Sequence, residues 1–202
     1  MGKAQENSSR RMGPVGADNW HAMLDGAENI LREEGYAALT SRRVAERIGV
    51  KQRLVYYYFQ TMDDLIVETF RRLSVRELER LRNAATSERP VQELWDICID
   101  TADARLVTEF MALANRIEAL RSEVIAFIEE SRRIQVTALS AAIQGQETER
   151  SLPCVALAII ATSVALSLNR EAALGITSGH SAVMNVMKRY LGDLEPDSRR
   201  GR

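Results

Sequence analysis

Apolar residues recur at helical spacing along most of this chain, and polar, glycine- or proline-bearing breaks separate the runs. Over residues 19–34, Trp20, Met23, Leu24, Ala27, Ile30 and Leu31 follow the i, i+3, i+4, i+7 rule and predict a first helix that Gly35 ends. Thr40 is a good N-cap for a second helix, in which Val44, Ala45 and Ile48 share one face. Gly49 marks a turn, and Val50 and Val55 carry the apolar spacing into a short third helix closed by Phe59 and Gln60. Thr61 can cap a fourth helix, with Asp63 and Asp64 in the first turn, where the helix dipole favours negative charge. Leu65, Ile66, Phe70, Leu73, Leu78 and Leu81 carry that helix to about Ala85. After a polar link at residues 86–89, Pro90 suits the first turn of a fifth helix bearing Leu94, Trp95, Cys98, Ile99 and Ala102. The pattern predicts four more helices, near residues 106–117, 120–143, 152–174 and 181–191, with a loop at 144–151. No run alternates with a strand's period, so the expected fold is all-α with about nine helices.

Residues 40–59 therefore read as helix, glycine turn, helix. That is the helix-turn-helix layout, whose second helix enters the DNA major groove. Helical geometry turns Val55, Tyr58 and Phe59 inward and leaves Arg53 and Tyr57 outward, with Gln52 at the helix start. Arg53 could pair bidentately with guanine and Gln52 with adenine. From residue 40 to residue 62 the cations are Arg42, Arg43, Arg47, Lys51 and Arg53, against Glu46 alone. Of these, Arg47 reads best as part of a solvated face of the second helix. One such unit reads too little DNA to find a site in a genome. A two-fold dimer on a palindromic operator, with recognition helices roughly 34 Å apart, is the expected assembly. The eighth helix, apolar nearly all round, and the ninth, with Val183, Met184, Val186, Met187 and Tyr190, offer surplus apolar surface for it.

Composition narrows the function classes. The net charge of −1 excludes a uniformly basic nucleic-acid coat, but a local basic patch suffices for a specific binder. Cys98 and Cys154 lack CxxC spacing and read as reduced core thiols of a cytosolic, cytoplasmic protein. The N-terminus has no apolar run of a secretory leader. Residues 152–168 are the nearest thing to a membrane span, but they are short for one and interrupted by Pro153, Thr162, Ser163 and Ser167. A helix buried on most of its circumference inside protein is the expectation there, with no membrane partner. His21 and His180 are the only histidines, no metal-ligand spacing, GxSxG or P-loop occurs, and Glu129 and Glu130 are adjacent and so do not share a helix face. Gly179-His180-Ser181 has no acid partner nearby in sequence, and capping explains Ser181 better. An enzyme, a metal site and a cofactor are not expected.

The same residues resemble the TetR (tetracycline-repressor) family. The likeness rests on the first helix's apolar stripe, then Gly35-Tyr36, Leu39-Thr40, Val44-Ala45, Ile48-Gly49-Val50, Val55-Tyr56, Phe59 and Leu65. It covers residues 20–65; beyond them only helix order and length agree. The resemblance implies that Tyr56 and Tyr57 are a phosphate-contacting aromatic pair. It also implies that Thr40, Ser41 and Arg42 receive a phosphate at the start of the second helix. Family members usually carry a lysine in the first turn of the fourth helix; here Met62 stands there, so Arg53 or Lys51 would replace that phosphate contact. Arg53 is itself a departure, at a place the family often fills with a small residue.

Polar residues 1–18, with Lys3, Arg10 and Arg11, read as a mobile basic arm and 195–202 as a disordered tail; between them the resemblance implies a DNA-binding domain at 19–62 and a ligand-binding and dimerisation domain at 63–194. The homodimer would form through helices eight and nine. A small apolar or amphipathic effector would sit from helix five onward, with Trp95, Phe110, Met111 and Phe127 as lining candidates. Asn115, Thr162 and Asn169 are buried-polar candidates to orient it. Aromatic residues are only 5% of the chain, which argues against an aromatic cage. The implied function is a repressor of double-stranded DNA released by its effector. A ligand-independent or architectural DNA binder, or an activator, of the same fold is the alternative.

Overall fold

The computed structural model describes residues 14–100, 104–143 and 152–195. The expected loop at 144–151, residues 1–13 of the expected basic arm and residues 196–202 of the expected tail lie outside these residues. Among the described residues the chain is all-α: α1 (Asp18–Glu33), a 3-10 turn (Tyr36–Ala38), α2 (Ser41–Ile48), α3 (Gln52–Tyr58), α4 (Met62–Ala85), α5 (Pro90–Ile99), α6 (Ala104–Ala114), α7 (Glu118–Ile143), α8 (Cys154–Ala173) and α9 (His180–Leu194). Two compact units divide after Thr69, inside α4.

The first unit is fixed by local signals that the sequence carries plainly. Thr40 Oγ1 accepts the Arg43 N–H at 3.1 Å, as an N-cap should. Gly49 is left-handed at φ 73°, where a Cβ is disfavoured. The Gly49 N–H reaches Glu46 O at 3.3 Å and the Val50 N–H reaches Ala45 O at 2.9 Å, the paired bonds of a Schellman ending. Asp64 contributes more than dipole charge. Its N–H donates to Thr61 Oγ1 at 3.1 Å while its carboxylate accepts the Thr61 N–H at 2.9 Å, a reciprocal capping box. The core gathers Met23, Leu24, Ile30, Leu31, Val44, Val55, Leu65 and Ile66, all essentially inaccessible. Trp20 stacks on Phe59 with ring centres 6.3 Å apart. Gly26 marks the close approach of α1 and α2: a Cβ there would lie 3.0 Å from Ile48 Cγ2.

In the second unit α7 and α8 pack together and α5 packs on both. Val91, Trp95, Leu139, Ile143, Leu157, Ala158, Ala165 and Leu191 form its main core. Phe110 and Phe127 both meet Phe70 edge-on, at 5.1 and 5.9 Å between ring centres.

Two expectations for this unit are corrected. The eighth helix is not buried on most of its circumference: Val155, Ile159, Ile160 and Leu166 are all more than 40% exposed. At 20 residues α8 is long and apolar enough to cross a membrane, although it carries Asn169, Arg170 and Glu171 near its C-terminus and packs on three other helices. In addition, Glu195 is no part of a free tail. Its carboxylate accepts the Val91 N–H at 2.7 Å and the Gln92 N–H at 3.2 Å, pinning the end of α9 to the N-terminus of α5. That contact matters because Leu191 is the only buried residue of α9.

Candidate functional site

Helix α3 has two faces of opposite character. Val55 and Tyr58, with Phe59 just beyond, are buried, while Lys51, Gln52, Arg53, Tyr56 and Tyr57 are exposed. Tyr57 rests edge-on against Tyr58 with ring centres 5.2 Å apart. Apolar contacts thus fix the helix from behind and leave its polar face outward.

A buried hydroxyl ties the start of α2 to this face. Ser41 is only 5% exposed. Its Oγ accepts from Gln52 Nε2 at 2.8 Å and donates to the Tyr56 hydroxyl oxygen at 3.0 Å. The relay runs in one direction, from Gln52 through Ser41 to Tyr56. Tyr56 therefore keeps its own O–H proton for an acceptor outside the protein, and such chains polarise each member in turn. Gln52 keeps one N–H and its carbonyl oxygen on the exposed side. Ser41 was expected to meet a phosphate directly; the structure places it beneath the surface, between Gln52 and Tyr56.

The cations that cluster in sequence separate in space. Arg43 grips Glu34 from Nε and a terminal nitrogen, the shortest bond being 2.7 Å. Arg47 reaches Glu33 at 2.6 Å and Glu34 at 2.8 Å, so it belongs to an ion-pair network rather than a freely solvated face. Hydrogen bonds from Arg43 and then Arg47 hold the Glu34 carboxyl well below its usual value, at about 2. Arg42 pairs with Glu46 at 2.8 Å, but both side chains stay largely in water. Among the described residues Lys51 and Arg53 make no ion pair, and α3 itself carries no acid. The Glu33 and Glu34 partners were invisible to a charge count over residues 40–62, because α1 supplies them across the fold.

In the second unit a cavity of about 30 Å³ lies among α5, α7, α8 and α9. That is room for a water or two. Of the residues expected to line a ligand site, Trp95 does so. Phe110 is buried against Phe70, Phe127 is half-buried on the same ring, and Met111 is 37% exposed; none of the three lines this cavity. Asn169 does not line it either, since its amide donates to Cys98 O at 3.1 Å. Asn115, expected to be buried, is exposed and bonded to Met111 O. Thr162 does line the cavity, together with Cys98 and a residue the periodicity did not flag, Gln135. Burial pushes the Cys98 thiol up to about 11, against a Thr162 bond that lowers it, so the thiol stays protonated. At the α8–α9 corner, His180 Nε2 lies 3.0 Å from Glu171 Oε2, an acid partner that sequence proximity did not supply. Ser181 is not a cap: Gly179 holds the N-cap position of α9, with no side-chain bond.

Residues 23–69 match the model of the "Bacterial regulatory proteins, tetR family". No curated protein matches the chain in sequence. Among solved structures, a TetR transcription regulator from Haloarcula marismortui superposes with a TM-score of 0.73 at 20% identity, over 87% of this chain and 97% of that one. A transcriptional regulator from Rhodococcus sp. Rha1 gives 0.63 at 20% identity, covering 86% and 96%. A protein of Saccharomonospora viridis, solved in complex with choline, gives 0.73 at 16% identity, covering 87% and 94%. Residues 23–69 therefore form a domain of the tetR-family N-terminal type, and the described chain shares its helical fold with these solved regulators.

Proposed function

We propose that this chain is a sequence-specific transcriptional repressor that binds a palindromic operator as a homodimer and leaves it when a small molecule binds. Residues 19–62 would carry the DNA contacts and 63–194 the ligand and dimer contacts. The observation that supports DNA recognition most directly is the exposed face of α3. Lys51 and Arg53 stand there without carboxylate partners, beside Gln52 and Tyr56 held by the Ser41 relay. In this reading Arg53 and Gln52 read bases, while Lys51, Tyr56, Tyr57, Arg42 and the N-terminus of α2 at Thr40 hold phosphates. Arg43 and Arg47 already spend their charge on Glu33 and Glu34 and take no part.

Exposed apolar side chains on α8 and α9 support the homodimer; Val155, Ile159, Ile160, Val186 and Tyr190 would be covered in it. The effector would act by preferring a conformer whose recognition helices no longer fit the half-sites, a coupling of about 1–3 kcal/mol, or roughly 5- to 150-fold in affinity. The choline-bound neighbour makes a small molecule in this fold reasonable. The narrow cavity favours a second reading, DNA binding without any ligand.

The test is selection of a binding site from a random 30-base-pair duplex pool with the full chain. A palindrome should emerge. Arg53→Ala should cost about 1–3 kcal/mol and relax preference at one position per half-site. Lys51→Ala should weaken binding to all sequences alike and flatten the salt dependence. Failure to enrich any site would sink the regulator reading.

A further inference from the structure

The ligand reading above can be narrowed by the chemistry of the cavity wall. The wall is aliphatic apart from Trp95 and three polar side chains, Cys98, Gln135 and Thr162, and no charged residue lines it. Gln135 lies midway along α7 and is only 9% exposed. Its amide is poorly served there. The Nε2 group meets Cys98 Sγ at 3.9 Å, and sulfur is a weak acceptor. Its Oε1 accepts from Thr162 Oγ1 at 3.3 Å, but the single Thr162 proton is also directed at Ala158 O, at 2.8 Å. An amide nitrogen carries two protons, so one N–H of Gln135 has no partner among the described residues. Turning the amide over would exchange the roles of Cys98 and Thr162 and still leave one N–H over.

We infer that the cavity takes a small, neutral, mostly apolar molecule with one hydrogen-bond acceptor, of the ketone, ester or ether class, and that Gln135 donates to that acceptor. This rests on the proposal that the second unit binds a ligand at all. A charged ligand is disfavoured because the wall offers no counter-charge to offset its lost hydration. A ring-sized ligand needs more room than this cavity of about 30 Å³ gives, so a wall must shift as it enters, and α9 is the wall held by the fewest buried side chains. It contributes Leu191, its single buried side chain, and is tied down by the Glu195 contact to α5.

The test titrates the full chain by ligand-observed NMR with three six-membered probes: cyclohexanone, methylenecyclohexane and cyclohexylammonium. Cyclohexanone and methylenecyclohexane should bind and cyclohexylammonium should not. Gln135→Leu should weaken cyclohexanone about fivefold, the factor a hydrogen bond of about 1 kcal/mol returns, without weakening methylenecyclohexane. Gln135→Met serves the same purpose should the leucine variant fold poorly. Equal losses for both neutral probes, or preference for the ammonium, would overturn the acceptor assignment while leaving a ligand site standing. Binding of none of the three, with a water alone meeting Gln135, would remove both the assignment and the ligand site. The DNA selection uses ligand-free protein and is decided separately.

Discussion

Ser41→Ala deletes the one hydroxyl through which α2 and α3 share a hydrogen-bond relay. The change removes the bonds of 2.8 Å from Gln52 and 3.0 Å to Tyr56 and leaves a methyl group in a site only 5% exposed. Both former partners reach water, Tyr56 being 37% exposed, so neither becomes a buried orphan. The loss is then the net value of two ordinary hydrogen bonds, about 1–3 kcal/mol together before rehydration and nearer the lower end after it. Part of this loss appears in stability and part in DNA affinity, since Tyr56 and Gln52 must then be ordered on binding. The assay is a double-mutant cycle on the selected duplex, with Ser41→Ala, Tyr56→Phe and the double variant, and urea denaturation of each. If Ser41 acts through Tyr56, the two losses in affinity are non-additive by about 0.5 kcal/mol or more. Additivity within about 0.3 kcal/mol would mean that Ser41 serves DNA binding, if at all, independently of Tyr56, and the relay argument would fail.

The Glu34 carboxyl should titrate by NMR with a midpoint near 2 instead of 4.5. Because its folded value lies below the unfolded one, its stabilisation is complete above about 4.5 and is lost as the pH falls toward 2, as it is for Glu130, held down by Arg133 and then Arg82. A Glu34 midpoint near 4.5 would show that Arg43 and Arg47 do not hold it in solution. Gly26→Val should destabilise the first unit by about 1–3 kcal/mol through contact with Ile48, whereas Gly26→Ala should cost less because better helix propensity, about 1 kcal/mol, offsets the crowding. Full stability of the valine variant in urea would show that α1 and α2 are not tightly apposed there. Glu195→Ala should lower stability by about 1–2 kcal/mol, as loss of a helix N-terminal partner does, and an unchanged denaturation midpoint would refute the α9–α5 contact.

The first unit was legible because its decisive signals are local. Thr40, Gly49 and Thr61 mark boundaries by their own conformational chemistry, and the apolar spacing around them leaves one way to pack α3. What the sequence hid depends on distant partners. Arg43 and Arg47 look free until α1 brings Glu33 and Glu34 beside them, and Ser41 looks exposed until α3 covers it. In the second unit the difficulty is greater. Residue type does not say which face of a helix turns inward when several faces are apolar. Thus Met111 points to solvent while polar Gln135 is enclosed by its neighbours. The outward apolar side chains of α8 are a property of one chain considered alone, and hydropathy cannot distinguish them from a buried core helix.

The contact between Glu195 and the start of α5 also bears on the order in which the protein can be made. Val91 and Glu195 are 104 residues apart in the chain. At about 5–20 residues per second, α5 waits roughly 5–20 s after its own synthesis for the carboxylate that completes its first turn. The second unit therefore cannot reach its final arrangement while it is being translated from α5 to α9, and its closing step follows the synthesis of nearly all the described chain.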